Sequence, residues 1–213
     1  MNKKIFVIRH GETNYNRSGL VQGRGIDAPL NELGLRQAEL FYKFYKHIKF
    51  DKVYTSSLVR TKQTVKGFID AGVPYESYSG FDEISWGNQE GLKVVHEVHT
   101  GENSILKRWA SGDLTAKYDK GESPLDVMNR QKEIMTTLLK KENEKTILIC
   151  MHGRAMRILL SWMSNCKLSE MDQFKHTNTC LYKIEYDGRF VIKERNLTEH
   201  LVGLDITKYS SGS

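Results

Sequence analysis

Residues 5–12 read IFVIRHGE, four apolar residues that change abruptly to charged and small ones. A short apolar run that stops in this way is typical of a buried strand in a parallel sheet. The same pattern recurs at residues 53–57, VYTSS, and at residues 147–153, ILICMHG. These three runs predict three strands of one sheet, each followed by polar side chains.

Helical patterns lie between and after the three runs. Residues 34–48 carry one apolar face, residues 58–70 follow the second run, and residues 155–163 are almost wholly apolar. Ser123 as N-cap and Pro124 at the first helical position predict a helix that ends near residue 141. Residues 180–193 alternate in polarity around Asp187-Gly188, which predicts a hairpin.

Strands that alternate with helices predict an α/β fold, with three layers (α/β/α), a mostly parallel central sheet and helices on both faces. Ligands of such sheets bind at the carboxyl ends of the strands, so polar residues far apart in the sequence should meet there. A chain of 213 residues is expected to form a single domain over residues 1–213. The least patterned region, 87–122, is either a small cap insertion over the site or a helical excursion that only packs.

The net charge of +6, from 32 Lys+Arg against 26 Asp+Glu, favours an anionic partner. Because the basic residues are scattered, we expect a small phosphorylated metabolite and no nucleic acid. The run at residues 5–8 is too short for a signal peptide or a membrane span, so no membrane association is expected. Three cysteines, an odd number without metal-ligand spacing, indicate a reducing cytoplasm.

His10 is the candidate nucleophile. An imidazole with its ordinary pKa near 6.5 is partly neutral at physiological pH and accepts a phosphoryl group. Arg9 and Arg60 are placed to bind phosphate oxygens and to neutralise their charge. His152 would donate to the equatorial oxygens in the transition state, and Glu83, whose flanks are apolar, would protonate the leaving group. Each residue alone has an ordinary structural explanation, and the combination is what indicates chemistry.

The motifs around these residues resemble the histidine phosphatase superfamily, also called phosphoglycerate mutase-like. The resemblance extends from residue 5 to about residue 160. It is carried by Arg9-His10-Gly11-Glu12-Thr13 with Asn16, Gln22-Gly23 with Pro29-Leu30-Asn31 to Gly34 and Gln37-Ala38, Ser56 to Thr61, Glu83 with Trp86-Gly87 and Glu90-Gly91, and Met151-His152-Gly153.

The resemblance implies a role for each matching residue. His10 would form a phosphohistidine, and Glu83 would be the acid that later activates water. The remaining phosphate-binding positions would be Arg9, Asn16, Gly23, Arg60, His152 and Gly153. Glu122 matches a segment of the mutase and fructose-2,6-bisphosphatase branches, although it is equally well explained as the residue before the Ser123 N-cap.

Two features depart from known patterns. Arg154 stands where many members of the superfamily have a small or apolar residue and the mutases have Asn. It either meets a second anionic group of the substrate or caps the following helix at the surface. His96 and His99 lie one residue too close together for the His-Glu-x-x-His zinc motif, so we expect no metal and no cofactor.

The function expected from these residues is phosphomonoester hydrolysis through a phosphohistidine, on a small phosphorylated metabolite. A 2,3-bisphosphoglycerate-dependent phosphoglycerate mutase is the first alternative, although this chain lacks the longer middle insertion and the Asn of the mutases. A non-catalytic phosphate-binding module is the second. The sequence leaves the physiological substrate and the oligomeric state open, a dimer included.

Overall fold

The computed structural model describes residues 2–93 and 104–205, and His96 and His99 lie outside these ranges. The strands are β1 (Lys3–Arg9), β2 (Lys52–Thr55), β3 (Tyr75–Ser77), β4 (Thr146–Met151), β5 (Leu181–Tyr186) and β6 (Phe190–Leu197). They form a six-stranded sheet in the order β3-β2-β4-β1-β5-β6. The first four strands are parallel, whereas β5 is antiparallel to β1 and β6. The predicted mostly parallel α/β sheet is confirmed.

The helices of the described ranges are α1 (Asn14–Arg17), α2 (Glu32–Tyr45), α3 (Val59–Thr64), α4 (Lys66–Asp70), α5 (Ile105–Ala110), α6 (Pro124–Leu139) and α7 (Gly153–Met163). Ser123 and Asp126 form the capping box that opens α6, as the sequence predicts. The helix predicted over residues 34–48 begins earlier, because Asn31 caps it by accepting from Gly34 N. The pattern over residues 58–70 forms two short helices that meet at Val65.

The core lies on both faces of the sheet. Along β1, Ile5 and Val7 belong to a cluster with α6 and α7, while Phe6 and Ile8 belong to a cluster with α2 and α4. Successive side chains of a strand point to opposite faces, so one strand supplies both clusters. The predicted helices on both faces of the sheet are therefore confirmed.

Part of the segment 87–122 is described. It contains a short 3-10 helix, Gly87–Gln89, and α5, whose Trp109 is only 2% exposed and donates from Nε1 to Ala116 O. Trp109 also packs on Trp86, with ring centroids 5.6 Å apart. This part of the segment is anchored to the domain by its own buried aromatic contacts. None of the helices in the described ranges is long and apolar enough to cross a membrane.

Candidate active site

The carboxyl ends of three adjacent strands bring the predicted residues together. Arg9 ends β1, His152 follows β4, and Ser56 follows β2. His10 N donates to Met151 O at 3.0 Å, and the rings of His10 and His152 lie 5.1 Å apart between centroids. Helix α2 packs closely behind this edge, because a Cβ on Gly34 would lie only 2.1 Å from Glu12 O. The predicted convergence at the strand ends is observed.

The imidazole of His10 is 3% exposed, and its Nδ1 lies 2.7 Å from Gly11 O. Since a carbonyl oxygen can only accept, Nδ1 carries the proton and Nε2 of the neutral ring has a free lone pair. Burial, followed by the charges of Arg60 and Arg9, holds the pKa of His10 well below 6.5. The neutral, nucleophilic form is therefore the stable one in this pocket.

Arg60 is fully buried and is held by three hydrogen bonds. Its Nε donates to His152 Nδ1 at 3.1 Å, and its two terminal nitrogens donate to Ile26 O at 2.7 Å and Gly23 O at 3.3 Å. Burial lowers its pKa to about 10, so it stays cationic at neutral pH. A guanidinium has five N–H groups, which leaves two for a ligand.

Arg9 has a different environment. One terminal nitrogen donates to His176 O at 2.5 Å, while the buried Nε has no hydrogen-bond partner. No carboxylate of the described residues forms an ion pair with Arg9 or with Arg60. Two guanidinium charges without a carboxylate partner make this edge of the sheet suitable for a dianion.

Both ring nitrogens of His152 are engaged. Nδ1 accepts from Arg60, so the proton of the neutral ring is on Nε2, which donates to Ser56 Oγ at 2.7 Å. Burial and the charge of Arg60 hold the pKa of His152 well below 6.5, so the ring is neutral. His152 is expected to donate to phosphoryl oxygens in the transition state, and in this structure its Nε2–H donates to Ser56 Oγ.

Glu83 is buried beside the start of α7. Its Oε1 accepts from Ile84 N at 2.9 Å and Ala155 N at 2.8 Å, and its Oε2 accepts from Arg154 N at 3.0 Å. The residues that flank Glu83 include the buried Phe81 and Ile84, but the carboxylate itself is surrounded by three backbone N–H groups. Oε1 uses both of its lone pairs in these bonds, whereas Oε2 keeps one.

Gly23 contacts Arg60 directly, whereas Asn16 is linked to His10 through Asn178. Asn16 Oδ1 accepts from Asn178 Nδ2 at 3.2 Å, and the same amide nitrogen donates to His10 O at 3.1 Å. Gly23 supplies a carbonyl to Arg60, and a Cβ at Gly23 would lie 2.1 Å from Glu90 Oε1. Glycine is therefore required at position 23 for the loop to pack against Glu90 and reach Arg60.

Arg154 does not occupy the surface position that one of its two expected roles required. Its guanidinium is almost buried, donates to Asp172 Oδ1 at 2.5 Å, and lies over the ring of Trp109, 5.6 Å from the centroid. It is therefore not a surface cap, and it shares the carboxylate of Asp172 with Arg157. The side chain links α7 to the described part of the segment 87–122.

Glu122 is a charge-pairing residue rather than only the residue before an N-cap. Its carboxylate accepts from Arg24 at 3.1 Å, from Arg130 at 3.0 Å and from Ser85 N at 2.9 Å. Arg130 in turn donates to the carbonyl oxygens of Gly80, Asp82 and Glu83. Glu122 thus acts on the site through Arg130, which holds the backbone of Glu83.

The chain is similar to known proteins over most of its length. The sequence model of the histidine phosphatase superfamily (branch 1) matches residues 5–198. The chain belongs to the histidine phosphatase superfamily. The resemblance that its motifs indicate is therefore confirmed over nearly the whole chain.

Two relatives match this chain at different sequence identities and over different lengths. Fructose-2,6-bisphosphatase TIGAR of Bos taurus is 50% identical over 149 residues, which cover 65% of this chain and 52% of the bovine protein. This chain thus spans about half the length of that relative. The probable phosphoglycerate mutase GpmB of Yersinia pestis is 26% identical over 205 residues, covering 93% of this chain and 94% of its own.

Solved structures in the superfamily share the fold. Phosphoserine phosphatase from Entamoeba histolytica, in complex with 3-phosphoglyceric acid, superposes with a TM-score of 0.82 at 27% identity, covering 93% of this chain and 99% of that one. Mycobacterial hydrolase 2 superposes with a TM-score of 0.84 at 19% identity, covering 98% and 96%. At 19% identity, the likeness to mycobacterial hydrolase 2 establishes only that the two chains share a fold.

The sequence patterns do not predict several residues that build this histidine phosphatase site. Ser56 lies within a recognised motif, and its position directly after β2 was the signal for it. Asn178 and His176 lie in the loop before β5, where the sequence has no regular pattern. Arg157 lies on an α7 face that reads as apolar helix, although it contacts that loop through Phe174 O at 2.9 Å.

Proposed function

We propose that this protein is a phosphomonoester hydrolase that transfers the phosphoryl group of a small metabolite first to His10 and then to water. The observation that carries the proposal is the hydrogen bond from His10 Nδ1 to Gly11 O, which leaves Nε2 unprotonated. This lone pair belongs to a buried ring whose neutral form is favoured by two arginines. A neutral imidazole beside two unpaired cations is suited to attack a bound phosphate dianion.

Arg9 and Arg60 would hold that dianion. Arg60 has one free N–H on each terminal nitrogen, and Arg9 has its Nε–H and further terminal N–H groups. Their charges would balance those of the phosphate and reduce its repulsion of the nucleophile. His152 fixes the orientation of Arg60, and its Nε2–H would exchange Ser56 for a phosphoryl oxygen when charge develops there.

Glu83 would carry the proton in both steps. His10 Nε2 forms a bond to phosphorus, the bond to the leaving oxygen breaks, and that oxygen takes a proton from Glu83. Water then attacks the phosphorus atom of the phosphohistidine and gives a proton to Glu83. The bond between phosphorus and His10 Nε2 breaks, so inorganic phosphate is released and His10 is restored. The free lone pair of Oε2 is the position for this proton, since Oε1 accepts two backbone bonds.

The names of relatives support hydrolysis of small phosphorylated compounds. A fructose-2,6-bisphosphatase and a phosphoserine phosphatase are both hydrolases by name. We further propose that residues 1–213 form one domain and that the segment 87–122 covers the bound metabolite. Its link to α7 through Trp109 and Arg154 supports this placement.

The decisive experiment is trapping the phosphorylated protein. After a brief reaction with a labelled aryl phosphate, wild type should carry acid-labile, base-stable phosphate, and His10→Ala should carry none and lose turnover. His47→Ala is the matched control, because His47 is exposed at the end of α2. Turnover by His10→Ala at the wild-type rate would overturn the proposal.

A panel of phosphorylated metabolites separates the remaining functions. Release of phosphate from the panel, unchanged by a strong chelator, is the result expected for a metal-free hydrolase. Interconversion of phosphoglycerates after priming with 2,3-bisphosphoglycerate would instead indicate a mutase, the activity in the name of the Yersinia relative. Binding of phosphate without release from any monoester would indicate a non-catalytic module.

A further inference from the structure

Arg157 fixes the loop that precedes β5 through three contacts. Its Nε donates to Phe174 O at 2.9 Å, one terminal nitrogen donates to Asp172 Oδ1 at 2.5 Å, and the other contacts His176 Nδ1 at 3.3 Å. Because a guanidinium can only donate, Nδ1 of His176 is the acceptor and carries no proton. The neutral ring therefore has its proton on Nε2.

The surroundings of His176 keep this ring neutral. Burial lowers its pKa to about 2, together with the charges of Arg9, Arg157 and Arg154. Asp172 forms ion pairs with Arg154 and Arg157, and none of the described carboxylates forms a hydrogen bond with His176. The imidazole is thus neutral at physiological pH, and the contact with Arg157 fixes it as an Nε2–H donor.

The Nε2–H group of His176 lies beside the predicted phosphate pocket. A Cβ added to Gly153 would lie 2.5 Å from His176 Cδ2, 3.2 Å from His176 Nε2 and 3.4 Å from Arg9 Nε. Both nitrogens are therefore close to a single point next to Gly153. The main chain of His176 also binds Arg9 through its carbonyl oxygen at 2.5 Å.

Neither nitrogen has an acceptor. Arg9 Nε is buried without a hydrogen-bond partner, and no residue of the described ranges accepts from His176 Nε2. Two neighbouring N–H donors without acceptors, next to a nucleophilic histidine, are suited to one anionic oxygen. Glycine at position 153 leaves room for the His176 ring to reach this place.

We propose that His176 is a further substrate-binding residue, whose Nε2–H donates with Arg9 Nε–H to an oxygen of the phosphoryl group that His10 accepts. The inference rests on the proposed function, because it places the phosphoryl group beside Arg9. His176 adds a hydrogen bond without adding charge, so the balance between two arginines and a phosphate dianion is preserved. This differs from a purely structural role, in which only the Arg157 contact at Nδ1 matters.

Two substitutions separate these roles. His176→Asn keeps an acceptor near the Nδ1 position for Arg157 but has no donor at the Nε2 position. His176→Gln places an amide N–H near the Nε2 position and loses the fixed acceptor. We expect the Kd for inorganic phosphate, measured by calorimetry, to rise about tenfold in His176→Asn and less than about threefold in His176→Gln.

Phosphate binding of His176→Asn equal to that of wild type, or an equal loss in both variants, would overturn the proposal. Calorimetry needs no turnover, so a protein that binds phosphate but hydrolyses nothing would refute the hydrolase proposal while leaving this test intact. Urea unfolding of both variants identifies any loss that is due to misfolding.

A measurement on wild type completes the test. In protein labelled with ¹⁵N-histidine, His176 should show the Nε2–H tautomer without titration between about pH 5 and 8, since Arg9, Arg154, Arg157 and the neutral His10 surround it. Addition of phosphate should shift its Nε2 resonance. A proton on Nδ1, or a resonance insensitive to saturating phosphate, would contradict the assignment.

Discussion

Arg60 Nε donates a hydrogen bond of 3.1 Å to Nδ1 of His152, a residue 92 positions later in the chain. This one contact fixes the tautomer of His152 and directs its Nε2–H to Ser56. It also orients the guanidinium, so that the N–H groups not used by Gly23 and Ile26 remain for a ligand. We therefore expect phosphate binding by Arg60 to depend on the orientation of its guanidinium as well as on its charge.

Arg60→Lys tests this expectation. Lysine keeps the charge but has no planar fork, so it cannot bind His152, two carbonyl oxygens and a phosphate together. We expect kcat/KM for an aryl phosphate to fall about 100-fold or more, the effect of losing charge-assisted hydrogen bonds. Arg36→Lys, on the exposed side of α2, is the control. A loss below about threefold would show that charge alone suffices.

The pH dependence of kcat/KM reports on His10 in the unliganded enzyme. Its pKa is held well below 6.5, so the nucleophile stays deprotonated as the pH falls through 6.5. We expect kcat/KM for an aryl phosphate, corrected for the ionisation of the substrate, to change less than about twofold between about pH 7.5 and 5.5 on account of this group. A decline with a midpoint at the ordinary histidine value, assigned to His10 by its ¹⁵N resonance, would disprove a depressed pKa.

Much of this site follows from the sequence because strand ends are visible in it. Apolar runs that stop at His10 and His152 place both residues at one edge of a parallel sheet, and Ser56 to Arg60 follow a third run. The short strand β3 is mostly exposed and has no apolar run, so the sequence pattern does not predict it. The periodic pattern predicts α2 only from residue 34, although Leu33 already lies on its buried face and Asn31 caps it.

The contacts that no pattern predicts join distant segments. Glu83 accepts from the backbone of Arg154 and Ala155, 71 and 72 positions away, and backbone donors leave no trace in side-chain composition. Asp172 pairs with Arg154 from a 3-10 helix, Leu168–Gln173, that has no regular polarity pattern. Such contacts depend on the relative position of packed elements, which the periodicity of a single segment does not specify.

The stability of the fold should fall at acid pH because of His200. This ring is buried among Phe41, Phe44 and Tyr45, and burial lowers its pKa from 6.5 to about 4. The unfolded chain then takes up a proton at higher pH than the folded protein. The contribution is complete above pH 6.5 and is lost as the pH falls toward 4.

His200→Gln should therefore be less sensitive to acid than wild type. Between about pH 7.5 and 5, wild type should lose about 1–2 kcal/mol more unfolding free energy in urea than the variant. His47→Gln, at an exposed position, serves as the comparison and should lose as much as wild type. Parallel losses in wild type and His200→Gln would contradict the assignment.

Lys3 is expected to stabilise the end of the sheet opposite to His10. Its side chain is only 2% exposed, and its ammonium donates to Lys141 O at 2.5 Å and Glu144 O at 2.6 Å, just after α6. Lys3→Met would leave both carbonyl oxygens without this donor, at a cost of about 1–3 kcal/mol in urea unfolding. Lys4→Met, at the exposed neighbouring position, should cost little, and kcat should change in neither variant. Equal stability of the two variants would refute this account.

Glu83→Gln tests the proton donor through the leaving group. The amide oxygen still accepts from Ile84 N and Ala155 N, but the amide nitrogen then faces Arg154 N–H, and no acidic proton remains on that side. Alkyl phosphates need a proton on the departing oxygen, whereas aryl phosphates leave readily without one. We expect kcat to fall about 100-fold or more for an alkyl monoester and less than about tenfold for p-nitrophenyl phosphate. Because both substrates share the phosphate pocket, an equal loss for both would indicate that Glu83 only supports the start of α7.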